Sequence, residues 1–258
     1  MFKELLKYRD LLAMLVLRDI RIRYKQAVMG FLWAIFMPIM AVLAGILVKT
    51  AMSIVSGKPF DFSGVATISV KVLPWTFFIS AIKFSVNSLV GNRELVTKIY
   101  FPREVFPFAS IIACLFDFGI ASVTLAVFLA FTGIGISPYI LLLPVLLLFL
   151  VLFTSGLGLF LSAANLFFRD IKYIVEIILM FGIFFTPVFY EANTFGKYKT
   201  FMLVNPVGSI LESINSVVVL HAMPDIFWFS YAGVVSVLMF FLGLFFFNEM
   251  EPLFAENI

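Results

Sequence analysis

Four cationic side chains, Arg18, Arg21, Arg23 and Lys25, crowd into one short stretch near the start of the chain. Guanidinium groups match phosphate oxygens in charge and geometry, so this cluster has the chemistry to hold phosphate; the same charges suit generic attraction to anionic headgroups. A second charged stretch runs from Gly91 to Glu104 and is compatible with helix as far as Pro102. It sets Leu95, Val96, Ile99 and Tyr100 on one face, as in a helix that packs into a soluble partner or rests on a membrane. Catalytic parts are missing. There is no GxxxxGK[ST], no HExxH and no nucleophile elbow, so the chain is read as a non-enzyme without its own ATPase site. The single histidine, His221, reads as an ordinary loop residue, and the single cysteine, Cys114, as a small core residue. That leaves no metal site and no disulfide framework. An intramembrane enzyme would need a constellation that Asp117, Glu176 and one histidine do not supply.

The elements that must position these groups are set by composition. Of 258 residues, 63% are apolar and 13% charged, with 34 Phe, too little polar surface to cover a water-soluble domain. About 20 apolar residues span the roughly 30 Å of hydrocarbon, where the backbone must satisfy its own hydrogen bonds, so the fold is all-α and integral to the membrane. Six transmembrane helices are expected over about 30–55, 70–91, 106–132, 138–164, 171–190 and 226–248 of a single domain, 1–258. Lys and Arg gather before the first span, after the second and after the fourth, which assigns both termini and the 92–105 and 165–171 loops to the cytoplasm. Lys49, Lys58, Lys71, Lys197 and Lys199 fall to the opposite loops. A formal charge of +3 distributed in this way favours membrane lipid, and no nucleic acid, as a partner.

Three segments stand apart from the spans. Residues 1–27 alternate basic positions with Leu5, Leu12, Leu15 and Ile20 and read as an interfacial amphipathic helix. Lys3, Lys7 and Arg9 before an apolar run imitate a signal peptide, but the following basic cluster and the lack of a small-residue cleavage site oppose it. Residues 191–225 contain apolar runs broken by Asn205 and Pro206, the pattern of external re-entrant helices acting as a gate segment; at depth, such structure must be buried in protein or line a cavity. Residues 92–105 are the third. Inside the spans, Lys83 and Asp117 lie at similar depth on adjacent helices and are expected to form an intramembrane pair, with exposure to a polar conduit as the alternative, since a lone charge facing lipid there costs about 2.5–3.5 kcal/mol.

Arg18 to Trp33 (RDIRIRYKQAVMGFLW) with Pro38, Pro74 to Phe78 (PWTFF), Lys98 to Glu104 (KIYFPRE) and Phe168 to Asp170 (FRD) together resemble the ABC type-2 transporter permeases of the polysaccharide-export branch, to which Wzm-type O-antigen permeases belong. The likeness runs from about residue 10 to the end of the sixth span and is looser in the external segment. It implies a homodimer of six-helix subunits in the cell inner membrane, each bound by a separate Wzt-type ABC nucleotide-binding subunit. That partner would handle ATP and Mg, leaving no cofactor in this chain. It also implies that 92–105 contains the coupling helix, with Glu94, Leu95, Lys98, Tyr100, Phe101, Arg103 and Glu104 touching the ATPase.

The implied cargo is a lipid-linked polysaccharide, O-antigen in type, whose diphosphate Arg18, Arg21, Arg23 and Lys25 would gather. A moving glycan needs weak, repeated contacts, and aromatic faces suit sugar C–H faces. The candidates are Trp33, Phe36, Trp75, Phe77, Phe78, Phe184, Phe185 and Tyr190; lipid-facing and interfacial-belt placements compete for each of them. Capsule, teichoic acid or a small drug-like cargo remain as alternative substrates, and a non-transporting membrane scaffold as the alternative class.

Overall fold

The computed structural model describes residues 7–25, 32–56, 62–98, 101–131 and 133–254, and every regular element among them is helical. In chain order these are α1 (Arg9–Tyr24), α2 (Trp33–Ser56), α3 (Phe62–Gly91), α4 (Arg93–Lys98), α5 (Val105–Phe131), α6 (Leu143–Phe167), α7 (Ile171–Phe185), α8 (Lys199–Leu203), α9 (Pro206–Val218) and α10 (Ile226–Met250). Four stretches are long and apolar enough to cross a membrane: Gly64–Gly91, Val105–Phe131, Pro138–Phe167 and Ile226–Leu253. The chain is therefore a multi-pass membrane protein. The pair Gly196–Leu203 and Pro206–Val218, bent by 113°, makes a fifth only if it is counted as one broken span. The six expected crossings are thus met in part. At 24 residues, α2 is about 36 Å long, but α7, with 15 residues, reaches only about 22 Å, because Thr186 and Pro187 turn the backbone out of the helix.

The bundle is built around α3. Within its most apolar window 83% of residues are buried in the protein, against 22% for α5 and 28% for α6, so of the four long stretches α3 has the least left for lipid. It packs against α5, α6, α2, α9 and α7. The pattern explains why: small and apolar residues, Ala66, Ser69, Ala81, Ser85 and Ser88, alternate with Ile68, Val72, Ile82 and Leu89 nearly all round it. On the other side α6 and α10 cross so closely that a Cβ on Gly156 would overlap the Met239 carbonyl, and one on Gly243 would overlap the Gly156 carbonyl. Only hydrogen at those two positions lets the backbones touch.

Opposite ends of the bundle carry different superstructures. At one end α1, α4 and the 101–104 turn pack against α5 and α10 through Leu15, Val96, Phe101, Phe106, Phe247 and Phe254. At the other, α8 and α9 fold back over α3, α6 and α10. The reversal between them is fixed by Asn205, whose side-chain oxygen accepts from the Val207 amide at 3.1 Å while its nitrogen donates to Thr186 Oγ1 at 2.9 Å. Gly208 permits the tight return, since a Cβ there would meet the Met202 carbonyl.

Candidate functional site

At its α4-proximal end, α3 buries three of its faces and exposes the fourth. Thr76, Lys83 and Asn87 are exposed there and Ser80 is half-buried; spaced by four, three and four residues, they form a polar stripe on the one open face of the helix, flanked by the exposed Phe84 and Val90. Lys83 lies eight residues from Gly91, about 12 Å along the axis. A stripe of this polarity is too costly to face hydrocarbon. It has the make-up of a wall that meets water, a hydroxylated cargo or a second polar surface.

Asp117 does not pair with Lys83. Its carboxylate is held by Arg23 at 2.5 Å and by the Tyr24 hydroxyl at 2.6 Å, both from the end of α1. The expected Lys83–Asp117 pair is corrected on that ground: Lys83 lies on the open face of α3, whereas the α5-facing side of α3 is filled by Phe77 against Phe118 at 5.3 Å. Arg23 also donates to Cys114 and lies 4.0 Å from the Phe84 ring. Burial and the Asp117 hydrogen bond push the Tyr24 phenol above its ordinary range, so it stays a neutral donor. Further back on α1, Arg18 donates to Asn92 at 2.7 Å and pairs with Asp19 at 2.8 Å. The helix expected to float on headgroups is thus bolted to α3 and α5. Of the four phosphate candidates, Arg18 and Arg23 are engaged within the fold, and Arg21 and Lys25 project outward. Met14, Leu17 and Ile22 are exposed alongside them, which suits an apolar flank in lipid beneath a charged rim.

The aromatic path candidates divide. Trp75, Phe77 and Phe78 are 3–5% exposed, locked in the core where Phe78 stacks on Phe153 and Trp75 approaches Gly182; they cannot line an open path, and that expectation is corrected. Trp33 and Phe36 are exposed and meet edge to face at 5.5 Å. Phe184 and Phe185 are exposed, and the Tyr190 hydroxyl donates to the Phe184 carbonyl at 2.6 Å. The polar stripe was missed, although its signal, Thr, Ser, Lys and Asn at helical spacing within an apolar run, was readable.

In the 92–105 segment, helix covers Arg93–Lys98; Ile99, Tyr100 and the Lys98 side chain lie outside the described residues. Glu94 is exposed, Leu95 half-buried and Val96 buried. Phe101 and Glu104 are also buried, Phe101 against Phe106 at 5.3 Å, so direct contact with a partner is corrected for these two. Arg103 ties the segment to the end of α10: its amide donates to Glu251 Oε1 at 3.1 Å, its guanidinium to the Glu251 carbonyl, and it faces the Phe254 ring. The segment is thereby joined to α5 and the end of α10 through packed aromatic rings.

Lys71, expected in an outer loop, is the largest departure. Helix α3 starts at Phe62, eight residues before the expected span, so Lys71 falls inside it, fully buried, with its ammonium 2.5 Å from Glu212 of α9 and 3.0 Å from the Tyr190 carbonyl. It fastens the folded-back helices to the core.

Residues 10–219 match the family of ABC-2 type transporters. Among similar proteins, an O-antigen export system permease protein RfbA of Myxococcus xanthus is 30% identical, covering 99% of this chain and 98% of its own length. Two proteins of the same name from Klebsiella pneumoniae are 28% and 26% identical over 96% of this chain and 94% of theirs. With the family covering most of the chain, including α4 and the folded-back helices, this protein belongs to the ABC-2 type transporter membrane proteins.

Proposed function

We propose that this chain is the membrane subunit of an ATP-driven exporter that moves lipid-linked polysaccharide of the O-antigen type across the cytoplasmic membrane. The observation that carries the reading is similarity along nearly the whole chain to O-antigen export permeases. In this reading α2 and α7 complete six crossings, and the α1 and α4 end lies in the cytoplasm with both termini. The protein works as a homodimer beside a Wzt-type ATPase, in which ATP and Mg are bound. Arg21 and Lys25 gather the diphosphate of the lipid carrier at the headgroup level, and the Thr76, Ser80, Lys83 and Asn87 stripe lines the path it opens to. Closure of the ATPase pushes on α4 through Glu94 and the neighbouring surface, including Lys98 and Tyr100, and the joint at Phe101, Arg103 and Phe254 passes the motion to α5 and α10. The folded-back α8 and α9 gate the outer side.

A small, drug-like cargo is the second reading. The apolar cavity between α2, α3 and α5, lined by Ile39, Leu43, Leu73 and Phe128 among others, holds about 200 Å³, below the roughly 300–1,000 Å³ of ordinary small-molecule sites. The glycan reading is tested by deleting the gene and supplying it back with its ATPase. Surface polysaccharide disappears and returns; unchanged surface polysaccharide in the deletion strain contradicts the reading.

A further inference from the structure

Beyond the buried Lys71 contact, Glu212 borders a cavity of about 110 Å³ between α9 and the start of α10. Ser213 and Ser216 line it from α9, Asp225 from the cap of α10, Trp228 from α10 and Lys199 from α8. Asn193 borders it too, so the Asn193 amide and the Lys199 ammonium are its donors and the remaining polar groups are mainly acceptors. The Ser213 hydroxyl donates to the Ser209 carbonyl at 2.8 Å and the Ser216 hydroxyl to the Glu212 carbonyl at 3.0 Å. Both protons are thereby used within the helix, leaving oxygen lone pairs for the cavity. The carboxylates add further acceptors, while Trp228 supplies an aromatic wall braced edge to face by Phe227 and Tyr231 at 5.0 and 5.7 Å.

A metal ion would also welcome oxygen ligands, but the charges argue against one. Lys71 pairs with Glu212 from behind and Lys199 lies on the same cavity, so two cations answer the two carboxylates. What suits a nearly neutral pocket of several acceptors, two donors at Asn193 and Lys199 and one aromatic face is a ligand whose groups both donate and accept hydrogen bonds, as sugar hydroxyls do, and that presents an apolar C–H face. We propose that this cavity is a subsite for one pyranose ring, on the outer side of the membrane, where a sugar unit of the cargo touches α9 as it leaves. The assignment rests on the export reading for the outward placement of α9. At about 110 Å³ with one open side, the cavity seats an edge of the ring and does not enclose it, so each contact is weak and repeatable, which a passing polymer requires.

The test uses the full-length protein in nanodiscs, with Trp33→Phe and Trp75→Phe leaving Trp228 as the sole indole of the three. Methyl glycosides of glucose, galactose and mannose, N-acetylglucosamine, and magnesium chloride are titrated separately while Trp228 emission is followed. The expected result is a saturable emission change with at least one sugar, its midpoint raised about tenfold or more by Ser216→Leu, which fills the cavity, and by Ser213→Ala, which deletes an acceptor. No saturable response to any sugar overturns the proposal, as does a response that both variants leave unchanged or saturation by magnesium alone. The same variants are scored for surface polysaccharide. Export by the unmodified chain with no sugar response removes the subsite alone, whereas loss of the export reading shows as an unmodified chain that restores no surface glycan.

Discussion

Replacing Glu212 by Gln leaves the Lys71 ammonium, which has no solvent exposure, facing a neutral amide at the pivot of the folded-back helices. Removing one member of a buried pair costs about 3–5 kcal/mol, because the partner's charge stays desolvated. The two single changes should be unequal. Glu212 keeps 16% side-chain exposure toward the α9 cavity, so Lys71→Met leaves a carboxylate that water can reach and should fall at or below the low end of that range. Glu212→Gln should fall higher. The double variant Lys71→Met with Glu212→Gln removes both charges, and its loss should be smaller than that of Glu212→Gln alone by about 2 kcal/mol or more. For a chain of this size, 3 kcal/mol corresponds to a drop of about 6–12 °C in unfolding midpoint, measurable in detergent by circular dichroism with size exclusion to count intact protein. Single variants that each lose under about 1 kcal/mol, or a double variant whose loss equals the sum of the two, would refute the pairing argument.

Asp117→Asn leaves Arg23 half-buried without its countercharge and should loosen α1, seen as faster hydrogen exchange over 9–24, while Lys83→Met should leave exchange there and thermal stability unchanged; the reverse pattern would restore the discarded Lys83–Asp117 pair. Lys83→Glu should lower surface polysaccharide at least severalfold in cells with equal protein in the membrane, and wild-type export would remove the stripe from the path. Gly156→Leu cannot be accommodated at the α6–α10 crossing and should abolish folded protein, whereas Gly91→Ala, with open space around it, should match wild type on size exclusion. Arg103→Ala should leave insertion and ATPase binding intact while lowering glycan exported per ATP hydrolysed, and an unchanged ratio would exclude the α10 joint from coupling.

Much of this architecture was legible because apolar length is a strong signal: the four long spans and the break at Asn205 and Pro206 fell near their expected positions. Boundaries failed where tertiary cover changes the solvent a residue meets. Lys71 reads as an end-of-span lysine until α9, folded back upon it, supplies Glu212 and closes off water. Asp117 has a plausible partner one helix away in sequence, but α1 brings a better one, and no periodicity within α5 records that. Trp75, Phe77 and Phe78 look like path aromatics because composition cannot tell a core face from a conduit face when both are apolar to one side. The polar stripe beside them was readable by the opposite logic, since hydroxyl, ammonium and amide groups are tolerated at that depth only where something other than lipid meets them.

In the proposed function this chain supplies a path and a separate ATPase supplies the energy. That division is tested most directly in inverted membrane vesicles carrying the chain with its ATPase and a lipid-linked polysaccharide labelled on the outer, cytoplasmic-facing leaflet. The glycan should become protected from an added glycosidase only with ATP, and not when the partner's hydrolysis is disabled or α4 is disrupted. Protection that proceeds without ATP or without the partner, or ATP hydrolysis by the purified chain alone, would contradict that division.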